Sequence, residues 1–187
     1  MQRDNDGDRK DSECLDSVRA QRLTAFSLQP KHLVVTRPET TGTMRPGWEE
    51  SMSLHEGMTF ERAWRVTGAE AADRHGNPFI HVLTTPIVVE WMEEVATAGV
   101  QPHLSEGQGT VGSVMKMTHL APTPIGLMVK VVATLTQIDE RRLVFCIEVF
   151  DEVEKIAECQ HERVIVDLAR FHEKAGKKAG EGRGPRE

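Results

Sequence analysis

The chain has 187 residues, enough for one domain with a real core plus tails. Its formal net charge of −6 argues against nucleic acid or an anionic membrane as the main partner, because both need a basic face. The three cysteines (Cys14, Cys146, Cys159) are an odd number with no close pair, and no run of about 18 apolar residues occurs; the chain reads as cytoplasmic, without a disulfide framework, a Cys-rich zinc site or a membrane span.

Residues 1–50 are polar and charge-mixed, broken by Pro30, Pro38 and Pro46, and read as a disordered tail in which Met44 is an alternative start, as are Met52 and Met58 just beyond it. A folded domain is expected over 51–172. Met58, Phe60, Arg62, Trp64 and Val66 alternate with Thr59, Glu61, Ala63, Arg65 and Thr67, the period of a half-buried strand. After a loop through 73–78, Thr85-Pro86 opens a helix expected to reach Gly99. The threonine is expected at the N-cap, its hydroxyl accepting an orphan backbone N–H, and the proline at the first helical position, where it has no N–H to waste.

Four strands should follow, over 111–119, 127–138, 142–150 and 155–168. They are joined by turn chemistry at Pro122/Pro124/Gly126, Asp139-Glu140-Arg141 and Asp151-Glu152. Connectors this short between the later strands force antiparallel pairing, and one helix packed on one face of that sheet makes an α+β domain. The Gly/Lys/Arg run over 173–187 has no apolar period and reads as a flexible, solvated tail.

On a helical wheel of about 100° per residue, Glu90, Glu94 and Thr97 share one face and Val88, Trp91, Met92, Val95 and Gly99 the opposite one. Glu93 falls at the edge of the polar stripe, beside Val89 and Ala96. It is either one more solvated acid or a half-desolvated carboxylate facing a cleft.

Gly107-Gln108-Gly109-Thr110-Val111-Gly112 formally matches a dinucleotide fingerprint. It precedes a strand instead of following one and opening a helix, so that reading is rejected. Gly112 instead offers close backbone approach to a ligand and a bare N–H for an oxyanion. His119 ends the strand just before a Pro/Gly corner, a position open to proton transfer or to a backbone hydrogen bond. No histidine spacing suits a metal, and none is expected.

Thr85, Glu93, Gly109-Thr110-Val111-Gly112-Ser113-Val114, Thr118-His119, Ala121-Pro122-Thr123-Pro124-Ile125-Gly126-Leu127 and His161-Glu162-Arg163-Val164-Ile165-Val166 together resemble the hot-dog-fold thioesterases of the fluoroacetyl-CoA thioesterase type, over residues 56–172. The resemblance implies a curved antiparallel sheet wrapped around one long central helix. It also implies a homodimer or dimer of dimers with active sites at the subunit interface. The implied activity is hydrolysis of an acyl-CoA to free acid and coenzyme A, with no cofactor beyond the coenzyme A of the substrate.

Carried over residue by residue, Thr85, Glu93 and His119 form the catalytic set. Gly112 borders the thioester carbonyl, Arg163 supports the site or the substrate, and Phe79 stands where a lid phenylalanine lies. Glu93 either attacks the carbonyl to form an anhydride or activates water, while His119 manages protons. Where the fluoroacetyl-specific enzyme has an apolar lid, this chain has Gly68-Ala69-Glu70-Ala71-Ala72-Asp73-Arg74-His75, so fluoroacetyl-CoA is not the expected substrate. The alternative reading is a non-catalytic acyl-CoA binding or sensing module on the same fold. A hot-dog hydratase is disfavoured, since no Asp/His pair stands at the spacing that family uses.

Overall fold

The computed structural model describes residues 34–36 and 53–181. In chain order these form β1 (Val34–Thr36), β2 (Thr59–Arg65), α1 (Thr85–Val100), β3 (Gln108–His119), β4 (Met128–Asp139), β5 (Arg142–Asp151), β6 (Lys155–Asp167) and α2 (Leu168–Glu181). The strands make one antiparallel sheet in the order β1-β2-β4-β5-β6-β3. Strands β4, β5 and β6 pair in sequence because their turns are short; Glu140, at φ 50°, closes the first of them. Register shifts at Gly112/Val114, Leu135/Gln137 and Val149/Phe150 place bulges along three strands, and bulges bend a sheet.

Helix α1 lies across the sheet and buries the face that the wheel marks as apolar, Val88, Trp91, Met92, Val95 and Gly99, together with Ala96 and Val100. They join a core built from alternate residues of the strands, among them Phe60, Val131, Ala133, Leu135, Phe145, Ile147 and Ala157. Gly99 permits the closest approach, for a Cβ there would stand 2.3 Å from Cγ of the buried Phe60 ring. Beside it, Trp64 of β2 stacks on Trp91 of α1 with ring centroids 4.9 Å apart and planes 2° from parallel. The Arg62 guanidinium lies 5.9 Å from the Trp64 ring and bonds the Glu94 carboxylate. The expected α+β sheet wrapped on one long helix is therefore present. No helix among the described residues is long and apolar enough to cross a membrane.

Three expectations change. Helix α1 begins one residue earlier than expected: Thr84 is the N-cap, Thr85 the first helical residue, and neither threonine side chain makes a cap bond. Of the tail expected over 1–50, Val34–Thr36 pairs with Thr59–Glu61 as an edge strand; the rest of 1–50 lies outside the described residues. The tail expected from 173 is, as far as Glu181, the continuation of α2. Asp167 starts that helix by accepting the Arg170 N–H at 2.8 Å, and Glu173 pairs with Lys177 four residues on at 2.7 Å. Its surface is solvated as expected, with Phe171 42% exposed.

Candidate active site

Between β2 and α1 the chain makes two short 3-10 turns, Gly68–Glu70 and Ala72–His75. Thr67 and Glu70 cap the first reciprocally: the Thr67 hydroxyl accepts from Ala69 N–H at 3.2 Å and Glu70 accepts from Thr67 N–H at 2.8 Å. Bridges from Ala71 to Leu83 and from Val82 to Pro124, and a 2.9 Å bond from Leu83 N–H to the Thr123 carbonyl, then dock the start of α1 on the corner after β3. Thr123 is itself fully buried and donates its hydroxyl to Asp151 at 3.1 Å, which makes that corner a firm support.

This docking brings two predicted residues together. The Thr85 hydroxyl and His119 Nδ1 are 2.9 Å apart. Because Thr85 is not spent on capping, its hydroxyl serves the histidine instead. His119 Nε2 is buried and has no hydrogen-bond partner among the described residues. Burial pushes the His119 pKa below the ordinary histidine value, favouring the neutral ring, and the backbone at Ala121 opposes the shift. Beside the pair lies a cleft of about 370 Å³ whose walls include Ala72, Ile80, Val82, Leu83, Leu120 and the polar His75 and Asn77.

A second cluster forms around Glu93, two turns further along α1. A Cβ at Gly112 would stand 2.4 Å from Glu93 Oε1, so the carboxylate occupies space that only glycine leaves open. Glu93 is half-buried, with its side chain 47% exposed, and Arg163 Nη1 stands 3.9 Å from Oε1 on the protein side. Arg163 is 4% exposed, so its guanidinium is held inside the protein. Its Nε donates to the Thr110 hydroxyl at 3.0 Å, its Nη2 to the Thr110 carbonyl at 3.1 Å, and its Nη1 to His161 Nε2 at 3.1 Å. Burial lowers the Arg163 pKa and the charge of Glu93 opposes the shift; the guanidinium stays a cation.

The arrangement thus holds an acid with an exposed face, an imidazole bonded to a hydroxyl, and a cleft of mixed polarity. Among the described residues no hydrogen bond or ion pair links the Thr85/His119 pair to Glu93 within the chain. Phe79 is not brought to either cluster: it sits at φ 75° with its side chain turned to solvent, 88% exposed, and does not line the cleft. All of the Gly107–Gly112 run but its first residue lies within β3, in keeping with rejection of a dinucleotide site. His161 and Thr110 were not singled out from sequence as site residues. The signal for His161 lay in the alternation Ala157, Cys159, His161, Arg163 on β6, which puts two basic residues where the pattern demands core.

The profile of the fluoroacetyl-CoA-specific thioesterase (FlK) family matches residues 66–169. A fluoroacetyl-CoA thioesterase of Streptantibioticus cattleyicolor is 35% identical over 104 residues, 56% of this chain and 75% of that protein. A solved structure of the fluoroacetyl-CoA thioesterase FlK superposes with a TM-score of 0.64 at 30% identity, covering 67% of this chain and 98% of that one. A hot-dog-like protein from Thermanaerovibrio acidaminovorans shares the fold, with a TM-score of 0.61 at 22% identity, over 70% of this chain and 94% of that one. With the profile spanning more than half of its residues, the chain belongs to the fluoroacetyl-CoA-specific thioesterase family and is a hot-dog-fold thioester hydrolase.

Proposed function

We propose that the protein hydrolyses an acyl-CoA to the free acid and coenzyme A, with Thr85, Glu93 and His119 as its catalytic set. The observation that carries this reading is the Glu93 carboxylate: one face is open, Arg163 stands behind it, and Gly112 clears the space in front. Glu93 supplies the nucleophile, attacking the thioester carbon itself or deprotonating the water that does. His119 takes up and returns the proton needed for the thiolate to leave as a thiol, with its ring held by Thr85. The Gly112 backbone borders the carbonyl oxygen, where one well-aimed donor contributes about 3–4 kcal/mol to the transition state. Coenzyme A enters only as part of the substrate, and the reaction belongs to the cytoplasm.

The working unit in this reading is a homodimer. Among the described strands β3 borders only β6, so its other edge is available for pairing. An antiparallel β3–β3 pairing along that edge would bring the Glu93 cluster near Gly112 of one copy toward the Thr85/His119 pair at the far end of β3 in the other. The cleft favours acyl groups other than fluoroacetyl, because its wall mixes aliphatic side chains with His75 and Asn77 and the phenylalanine at the lid position faces solvent.

The test is thiol release from short, branched, aromatic and long acyl-CoAs, fluoroacetyl-CoA included, by the native protein and by Glu93→Ala. Turnover that collapses in the variant is expected; turnover unchanged by it would remove Glu93 from the site. A single turnover in water labelled with oxygen-18 separates the two routes, since only the anhydride leaves label in Glu93. Light scattering tests the dimer, and a monomer with full activity would overturn the interface reading.

A further inference from the structure

His161 is a fully enclosed ring on β6 whose two nitrogens both have partners. Nδ1 lies 2.9 Å from the carbonyl of Val114, the residue that follows the bulge in β3. A carbonyl only accepts, so Nδ1 carries the proton. Nε2 lies 3.1 Å from Arg163 Nη1, which only donates, so Nε2 presents a lone pair. The two bonds select one and the same neutral tautomer. Protonation would set N–H against N–H and a second positive charge beside the guanidinium. Burial opposes that protonation, as does the charge of Arg163, while the Val114 carbonyl, Glu93 and Glu162 pull the other way.

Three acceptors therefore fix the guanidinium: the Thr110 hydroxyl, the Thr110 carbonyl and His161 Nε2. Of these, His161 alone engages Nη1, the nitrogen 3.9 Å from Glu93 Oε1. We propose that His161 is a positioning residue, a neutral hydrogen-bond acceptor that aims the Arg163 guanidinium at Glu93 and so holds the carboxylate in its working place over Gly112. This rests on Glu93 having the role assigned to it above. His161 does not touch the substrate; it acts through Arg163.

Two substitutions separate positioning from packing. In His161→Gln the amide oxygen reaches the place of Nε2 and accepts from Arg163, whereas His161→Leu fills much of the volume and accepts nothing. With the best acyl-CoA of the panel, His161→Leu is expected to lower kcat by about tenfold or more with KM nearly unchanged, the effect of misplacing a reacting group by a fraction of an ångström. His161→Gln is expected to recover most of that loss, and neither substitution should alter the residual rate in a Glu93→Ala background. Equal kcat for the Leu and Gln variants, or a further loss on top of Glu93→Ala, would overturn the proposal.

A readout independent of turnover is the long-range nitrogen–proton correlation spectrum of the native protein near neutral pH. The neutral Nδ1–H form of His161 is expected, and the Nε2–H or doubly protonated form would refute the proposal even if His161→Leu does not fold. If the native protein releases no thiol from any substrate, the functional reading fails and the spectrum alone decides the His161 contact.

Discussion

Replacing Gly112 by alanine isolates the placement of Glu93. The added methyl would stand 2.4 Å from Glu93 Oε1 and 3.3 Å from His161 Cε1. Ordinary van der Waals contact requires the carboxylate to retreat by about 1 Å, and it can do so at little cost, being the end of a flexible and half-exposed side chain. The backbone at Gly112 does not adopt the left-handed conformation reserved for glycine, and removing a glycine lowers the entropy of the unfolded chain by the equivalent of about 0.4–1 kcal/mol. The two effects oppose each other, so the melting temperature should move by no more than about 4 °C.

Activity is another matter, since a 1 Å displacement of a reacting group can cost about 100-fold. The assay is thiol release with kcat and KM separated, beside a thermal melt, for Gly112→Ala, Glu93→Ala and the double variant. The expected result is a kcat lowered by about 100-fold in Gly112→Ala with a near-native melt, and no further loss in the double variant. A Gly112→Ala protein with native kcat would refute the reasoning, because the carboxylate could then work from somewhere else.

Gly99→Ala should do the opposite. Its methyl would meet the Phe60 ring at 2.3 Å, with no flexible end to give way, and overpacking of this kind costs about 1–3 kcal/mol, read as a lower urea midpoint. Thr85→Ala should leave the melt unchanged, because that side chain caps nothing, while lowering kcat/KM by about 10-fold to 100-fold through loss of the bond to His119; Thr85→Ser should recover the rate, and an equal loss in both would argue against a role for the hydroxyl. Burial holds the folded-state pKa of His161 below the ordinary value of about 6.5, so between the two values the unfolded chain binds more protons. Its contribution to stability is full above about pH 6.5 and is lost as pH falls through the depressed pKa. The urea midpoint should therefore drop more between about pH 7.5 and 5.5 in the native protein than in His161→Gln, and equal drops would mean that His161 does not titrate in this way.

The sheet was legible because its connectors are short and strands such as β2 alternate; from Met58 to Val66 the alternate positions are apolar except Arg62, which pairs with Glu94. Helix α1 was legible from its wheel, which separates Glu90 and Glu94 from Val88, Met92 and Val95. Its first residue was misread because Thr84 and Thr85 are chemically equal as caps. Only the extended backbone of Thr84 (φ −85°, ψ 144°) and the pull of His119 on Thr85 distinguish them. The helical start of the C-terminal run was hidden by Gly176 and Gly180, which weaken the propensity that its lysines and alanines supply.

The direction of Phe79 depends on a positive φ in a loop, which no periodicity encodes. The partnership of Glu93 with Arg163 joins residues 70 positions apart on a helix and a strand, and only packing could reveal it. His161 stood in plain view as a basic residue on an inward-facing strand position. Reading it required the principle that a buried polar side chain must have partners.

The stacked Trp64 and Trp91 rings tie the strand at one side of the sheet to the helix that carries Thr85 and Glu93. Two indoles face to face at 4.9 Å couple their electronic transitions, and that coupling falls away steeply with separation and tilt. The protein therefore contains its own optical gauge of how firmly helix α1 is seated. The paired circular-dichroism bands of the couple would report any lifting of the helix during turnover without a label being attached.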